Sequence, residues 1–580
     1  MDDAKREAEH FVNNEKAFHL GALPTEQSHP KTRGLAEVIA KDTRAGIRML
    51  QAVDEDVTAA ARRVFASDEF RRLVESLTAA LDRGGRVCFS GCGATGRLSI
   101  LLEAAYRAAR RDDAALSIMT GGDYALVRSV EFFEDYMTFG RQQAIEAGLG
   151  RGDVLVAITE GGETSSVIGT AWQALEAGAE VFFAFNNPAS VLAAHVERSR
   201  RVIEEPRIVK LDLSSGPMAI AGSTRMQATT CELLVIGVAL EIALGGGQRG
   251  EDYAARFASL LRDLAQPSAV DAMARWVEME ESLYRGKNAI TYFGNEFLLD
   301  IFTDTTERAP TFSLPPFRKC DDTTSPRSMA FAKNPLFSTA ETWRRMLGRE
   351  PRCLTWDTTL YQRMGAAERI WRNPPVLNRA ELFKFLVGNE DDPSRYSAPG
   401  DCAALVLVGE ETARSRRREE AEELSSATSP PPCVGGYNLF EAFTAAAAKF
   451  PERAALAVGP TAPAGDACHI GCELPSSPIK LWDHLAIKLV LNTISTATAA
   501  RLGRVVSNWM AYVETSNKKL IDRGTRLVAE LAGLDYAEAC YELHKSRAQL
   551  AQTPVVAGER LSPVAVTLER IRQRRSAAKS

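Results

Sequence analysis

Residues Arg86 to Ser99 read RVCFSGCGATGRLS: an apolar strand, a loop holding Gly91, Gly93 and Gly96, then helix-forming sequence to about Arg110. A strand that runs through glycines straight into a helix commits the surrounding chain to a parallel sheet covered by helices. The same turn outlines an anion site. Glycines admit close backbone approach, Thr95 brings a hydroxyl, and the helix aims its unpaired N–H groups and positive dipole end at one point. The spacing also satisfies G-x-G-x-x-G. However, no acidic residue closes a second strand about 20 residues later, a hydroxyl stands where close packing is expected, and no Walker lysine follows. The reading is a phosphoryl site, with a plain tight strand-to-helix turn as the alternative.

Strands are expected at Arg86–Ser90, Leu116–Met119, Val154–Thr159, Val181–Phe185 and Val202–Lys210, with helices such as Ser165–Glu176 between them. A second block is expected at Ala289–Gly294, Cys353–Thr355, Ala403–Gly409 and Ala454–Val458. Met226–Leu244 and Tyr253–Glu281 read as helices between the blocks, and helical sequence runs from about Ile487 onward, with breaks near Gly503, Gly524, Gly533 and Pro554. Ser425–Pro432 reads as a surface loop, and the final RIRQRRSAAKS as a frayed basic tail.

The 580 residues are 45% hydrophobic and 25% charged with a formal net charge of −5, which fits a globular chain of several domains and offers no basic surplus for nucleic acid. No run of about 18 apolar residues suggests a membrane span, and the charged start MDDAKREAEHF points to a cytoplasmic protein. The ten cysteines are scattered, so in a reducing compartment they read as small buried residues. Cys468, His469 and Cys472 lack the partner pair of a zinc site. Neither a metal nor any other cofactor is expected.

Four separated segments, GGRVCFSGCGATGRLS, GGDYALVRSVEFFED, GPMAIAGSTRM and KLVLNTISTATAARLGRVVSNWM, resemble the sugar isomerase (SIS) fold of the N-acetylmuramic acid 6-phosphate etherases. Those enzymes have one such domain and pair as homodimers. The length and the two α/β blocks resemble the glucokinase regulatory protein group, with two SIS domains and a helical C-terminal cap. Thr25-Glu-Gln-Ser28 is similar to the T-E-x-S-N segment of both, with His29 in place of asparagine. The resemblance implies an α/β chain of an N-terminal helical arm (1–60), two SIS domains (61–260 and 261–500), each a parallel sheet flanked by helices, and a helical cap (501–580). Fusion supplies internally the interface that the single-domain relatives form by dimerising, so a monomer with an internal pseudo-dimer is expected.

The same resemblance divides a site between the halves. The first half keeps the phosphate loop, Gly91, Gly93, Thr95, Gly96 and Arg97, and Glu134 falls on one etherase glutamate, whereas the other, in D-A-S-E-C-P-P-T, falls on Ala105. The second half reads Asp304-Thr-Thr-Glu-Arg-Ala-Pro-Thr311, placing Glu307 on that missing glutamate, but Gly294-Asn-Glu-Phe297 lacks the glycine loop. Ser223 and Thr224 keep a hydroxyl turn that the second half replaces with Pro478-Ile-Lys-Leu481. The family lysine is Lys488 in the second half and Leu233 in the first. One composite site is implied: phosphate loop and Glu134 from the first half, Glu307 and Lys488 from the second.

Two carboxylates beside a bound sugar 6-phosphate could run elimination and rehydration, one taking the proton next to the open-chain aldehyde and the other protonating the departing ether oxygen. Their mutual repulsion should raise one pKa. Arg97 or Lys488 would offset the phosphate charge, Ser223, Thr224, Thr164 and Ser165 would donate to it, and the family products would be N-acetylglucosamine 6-phosphate and lactate. Glu160 and Glu163, in a loop where Gly161 replaces an etherase serine, add negative charge nearby. The reading leans to an etherase-like carbon–oxygen lyase acting on N-acetylmuramic acid 6-phosphate or a close amino-sugar 6-phosphate. The alternative is a phosphosugar-responsive, non-catalytic regulator of a sugar kinase. A sugar phosphate isomerase is the weaker third.

Overall fold

The computed structural model describes residues 3–245, 249–412, 439–463, 465–513, 515–552 and 561–577; Ser425–Pro432, Pro554 and the last three residues of the basic tail lie outside the described residues. β1 (Val87–Gly91), β2 (Ala115–Met119), β3 (Val154–Thr159), β4 (Glu180–Phe185) and β5 (Ile208–Asp212) form a parallel sheet in the order β2-β1-β3-β4-β5. β6 (Ile290–Phe293), β7 (Ala330–Lys333), β8 (Cys402–Val408), β9 (Glu452–Val458) and β10 (Cys468–Ile470) form a second, in the order β7-β6-β8-β9-β10. Counted from its own first strand, each sheet has the same order, so the two halves repeat one topology. Continuous apolar runs such as VLVAIT and CAALVLV suit strands covered on both faces, and every residue of β3 and β8 is buried.

Three expectations differ from the structure. Val202–Lys210 is not one strand: Glu197–Glu204 is helical, with Glu197, Arg201 and Glu204 exposed and Val202 buried, and only Ile208–Asp212 pairs. Cys353–Thr355 is an irregular segment, and the second sheet instead takes Ala330–Lys333, whose Lys333 Nζ donates to the carbonyls of Leu386 (2.6 Å) and Glu390 (3.0 Å). Gly524 does not break the chain; it lies inside the helix Lys518–Ala532, where a Cβ would sit 2.9 Å from Val564 and prevent close packing of the next helix but one.

The two halves meet through four helices. Ala94–Arg110 and Gln227–Ala243 come from the first half, Leu298–Phe312 and Leu481–Arg501 from the second. The second and fourth are buried on nearly every face, as all-round apolar helices must be. A second clamp lies at the edge. Arg349 and Arg352 of the second half bind buried Glu103, and Arg349 also binds Asp123. Trp356 stacks on Phe133 at 5.8 Å between ring centres. That stacking fixes the short 3₁₀ turn Glu131–Asp135 that holds Glu134.

Lys518–Ala532, Tyr536–Gln552 and Pro563–Ala577 pack into a cap with the N-terminal helix Asp3–Asn14. The Thr25–Ser28 segment joins this cap to the first sheet. Thr25 exchanges hydrogen bonds with Asn187 after β4 (3.0 and 2.9 Å), and buried Glu26 accepts from Arg523 and Arg526.

At the end of β1, a Cβ on Gly91 would lie 2.3 Å from the Thr95 carbonyl, so only glycine lets the strand end touch the helix start. Gly91→Ala is therefore expected to cost about 1–3 kcal/mol, read as a lowered urea midpoint, while Gly148→Ala, in open space but at φ +64°, should cost less.

Candidate functional site

The glycine turn places its groups as follows. Gly93 takes φ 58° and starts the helix Ala94–Arg110. Thr95 Oγ1 accepts from the Cys92 amide (3.0 Å) and donates to the Cys92 carbonyl (2.9 Å), so this hydroxyl closes the loop upon itself. Thr95 is 1% exposed, and its contribution to any ligand is through loop shape. Gly96 lies against Met119, where a Cβ would be 2.8 Å from the side chain. Arg97 points away from the loop into the junction between halves, its Nε donating to Thr306 Oγ1 at 3.3 Å.

Behind the turn, Arg97, Arg225, Asp304, Glu307 and Lys488 line one cavity of about 40 Å³, room for a water or two. Asp304 is its anchor. It accepts from Arg225 Nη1 (3.1 Å), Asn492 Nδ2 (3.1 Å), Ser495 Oγ (2.8 Å) and Arg308 Nε (2.9 Å). Burial alone would raise its pKa, but Arg308 and Arg225 outweigh burial and hold it below the usual range. Glu307, one helical turn on, has no such set of donors. Its Oε2 is 3.8 Å from Arg225 Nη1 and its buried Oε1 has no hydrogen-bond partner. Burial pushes its pKa up against Arg97, Arg225 and Lys488.

Lys488 Nζ donates to the carbonyls of Arg225 (3.0 Å) and Met226 (3.3 Å), to Thr230 Oγ1 (2.8 Å) and to Asn492 Oδ1 (3.0 Å). Burial lowers its pKa to about 8 despite Glu307 and Asp54. Four acceptors thus hold this lysine in place between the helices. Ser223 is buried and Thr224 half-buried in the turn before Arg225.

Glu134 does not line that cavity. It is half-buried under the cap, where its Oε1 accepts from Asn517 Nδ2 (2.8 Å) and the charge of Lys519 is felt. Lys519 Nζ also reaches Glu163 Oε1 at 2.8 Å, and Glu163 Oε2 is 2.8 Å from Arg198 Nη2. Burial would raise Glu163, but Lys519 and Arg198 overcome it and hold the pKa at about 2. Glu160 has no comparable partner, and burial lifts it to about 7, with Lys519 opposing and Glu307 reinforcing. Glu160 therefore feels both the cavity carboxyl and the cap lysine, and links the two groups electrostatically. Thr164 Oγ1 accepts from Thr159 Oγ1 (3.1 Å), Ser166 Oγ bonds Thr120 Oγ1 (2.9 Å), and Ser165 opens the helix Ser165–Glu176; all are buried.

The structure thus gathers Arg97, Glu307 and Lys488 at one cavity and sets Glu134 and Glu163 around Lys519. Arg225, Asp304, Asn492 and Lys519 carry no role in the sequence reading. Arg225 and Asp304 stand inside the two motifs that did attract it, GSTRM and DTTER. Lys519, in the expected helical cap, had no signal.

The model of the glucokinase regulatory protein N-terminal SIS domain matches residues 69–174. The chain is 32% identical over 229 residues to the N-acetylmuramic acid 6-phosphate etherase of Deinococcus radiodurans, covering 38% of this chain and 69% of the relative. It is 31% identical over 258 residues to that of Synechococcus sp., covering 42% and 77%. It is 27% identical over 222 residues to N-acetylmuramic acid 6-phosphate etherase 1 of Bacillus licheniformis, covering 38% and 68%.

Two measurements check the electrostatics. Asp304→Ala leaves Arg225 and Arg308 buried without their shared anion and is expected to destabilise by about 3–5 kcal/mol, read by urea unfolding. Glu160, with a folded pKa of about 7 against 4.5, binds its proton more tightly when folded. Its stabilisation is complete below pH 4.5 and is lost as pH rises to 7. Glu160→Gln should therefore match wild type near pH 4.5 and exceed it by about 3 kcal/mol at pH 8; equal pH dependence of the two unfolding midpoints would refute this.

Proposed function

Because the chain belongs to the SIS-domain family, in the group of the N-acetylmuramic acid 6-phosphate etherases and the glucokinase regulatory protein, we propose that it binds a sugar 6-phosphate between its first domain, the second-domain helix carrying Glu307, and the cap. The phosphate is assigned to the Gly91–Gly96 turn and the start of the helix Ser165–Glu176, two helix N-termini that follow the carboxyl ends of the adjacent strands β1 and β3. Glu163, neutralised by Lys519 and Arg198, does not repel an anion there.

The chemistry best supported is etherase-like. The carrying observation is Glu307: a buried carboxyl with a raised pKa and no hydrogen bond to Oε1, which is the state a general acid needs. Glu134 is the base. In the open-chain sugar it takes the proton from the carbon next to the aldehyde, the electron pair forms the double bond, and the ether C–O bond breaks. Glu307 gives its proton to the departing lactyl oxygen. Water then adds across the double bond, its hydroxyl returning to the carbon that lost lactate and its proton to the neighbouring carbon. The products are N-acetylglucosamine 6-phosphate and lactate. Arg97 and Arg225 steady the carboxylate that Glu307 becomes. Lys488, held by four acceptors, fixes the helix crossing behind it.

A second reading, a phosphosugar-responsive regulator of a sugar kinase, is favoured by one observation: the cap reaches the phosphate-side loop directly through Lys519 and Glu163. A ligand that disturbs that pair would move the cap without any turnover. In either case one chain holds both halves of the site, and we propose that it acts as a monomer in the cytoplasm.

Release of lactate from N-acetylmuramic acid 6-phosphate decides between the two. Wild type is expected to release it, with kcat falling on the alkaline side as Glu307 loses its proton. Glu307→Gln should lose turnover by at least about 10²-fold while keeping ligand affinity within a few-fold. Binding without lactate would select the regulator, and full activity in Glu307→Gln would remove Glu307 from the chemistry.

A further inference from the structure

A second cavity, of about 390 Å³, opens at the carboxyl ends of β6 and β7 in the second half, the edge at which parallel α/β sheets take ligands. Its volume falls within the range of about 300–1,000 Å³ typical of small-molecule sites, and it is far larger than the cavity beside Glu307. The repeat of topology accounts for its place. Helices Ala94–Arg110 and Leu298–Phe312 each follow the first strand of their sheet, and Ala105 corresponds to Glu307. Where Glu307 reaches from the second half toward the first, Ala105 lines the second cavity with Ala104 and Ala108. Three alanines on one helix face leave a flat, weakly polar wall.

The charged groups that line this cavity are paired. His484 Nδ1 lies 3.0 Å from Asp300 Oδ2, Lys480 pairs with Glu296, and Arg345 Nε is 2.7 Å from Oε1 of Glu341, a carboxylate outside the lining that Arg345 shares with Arg344. The start of the helix Leu298–Phe312 carries Asp300 in its first turn, so a carboxylate already answers that dipole end. The preceding turn has one glycine, Gly294, where a Cβ would lie 2.5 Å from Ile301; this glycine serves packing. What remains for a ligand is an apolar wall facing the Asn295 and Asn334 amides, which bond each other at 3.1 Å.

We infer that this second cavity binds an uncharged, hydroxyl-rich ring, an unphosphorylated hexose or N-acetylhexosamine, and excludes the 6-phosphate forms. The ring's apolar face and any acetyl methyl rest on Ala104, Ala105 and Ala108, and its hydroxyls meet the asparagine amides and the His484–Asp300 pair. Leu101 and Asp300 line both cavities, so an occupant here touches the wall behind Glu307. The inference rests on the matched charges and the alanine wall, and stands apart from whether the first site turns over a substrate.

Isothermal calorimetry of the full chain with N-acetylglucosamine, glucose and N-acetylglucosamine 6-phosphate tests it. One saturable site for an unphosphorylated sugar is expected in wild type and in Glu307→Gln, weakened at least tenfold by Ala104→Leu, which fills the cavity, and by Asn295→Ala, which only removes an amide. N-acetylglucosamine 6-phosphate binding should be unchanged by both cavity variants. No saturable binding of either unphosphorylated sugar to wild type overturns the inference. So does binding that Glu307→Gln abolishes and both cavity variants leave intact, since the ligand then sits in the first site. Phosphosugar binding lost in the cavity variants would overturn the exclusion of phosphate. Absence of lactate release bears on none of these outcomes.

Discussion

A carboxylate sealed between two sheets is tolerable only if both sides supply donors, and Asp304 meets that condition with Arg225 from the first half and Asn492, Ser495 and Arg308 from the second. The constraint is geometric as well as energetic. Arg225 also donates to Ser495 (3.0 Å) and Thr496 (3.1 Å), so sliding one half by a helical turn would strand a buried charge on each side. Glu307 and Arg308 stand three and four residues beyond Asp304, on the same helix face. The residue that fixes the domain junction therefore also fixes the height and direction of the carboxyl proposed for the chemistry.

Duplicated topology does not keep duplicated electrostatics. Around the first half's loops, Glu163 takes two cations and sits far below its usual range, while Glu160, a few residues away, is lifted to about 7. Around the second half's cavity the charges close into pairs, and the first-turn Asp300 occupies the dipole end that the first half leaves to Ala94 and Thr95. On the second side an anion would have to draw a cation out of a pair. Once two copies are fused, each position is free to change separately, which a homodimer's symmetry forbids.

The sheets were legible because both faces are covered: strands such as VLVAIT announce themselves by unbroken apolar sequence. AFAK did not, since four residues ending in lysine carry no periodicity, and Lys333 belongs there only because carbonyls from a distant loop receive its ammonium. Cys353–Thr355 is apolar without being a strand because Leu354 packs on Gly122 of the first half and Trp356 beside it stacks on Phe133, which is tertiary information. For the site, motif comparison located Arg97, Glu307 and Lys488 and the structure brings these together. Glu134 was expected on the same wall and instead stands under the cap. Thr95 was expected to donate to a ligand and instead closes its own loop. Neither difference could be read from spacing, since both depend on where a side chain turns after the backbone is set.

The two glutamates in the Glu160–Glu163 loop looked hostile to a phosphate when read as two full charges. Burial changes that sum. Glu163 is neutralised by Lys519 and Arg198, each within 2.8 Å, and Glu160 at about 7 is protonated for much of the time near neutral pH. The loop then presents little net charge, and with Lys519 and Arg198 engaged by Glu163 the helix start at Ser165 is the field an incoming anion meets. A phosphate drawing on Lys519 would loosen Glu163, and Glu163 freed of its cation would favour protonation of Glu160. A phosphate bound as proposed would therefore couple ligand binding, cap position and proton uptake through these three side chains, whether or not Glu307 goes on to donate its proton to a substrate.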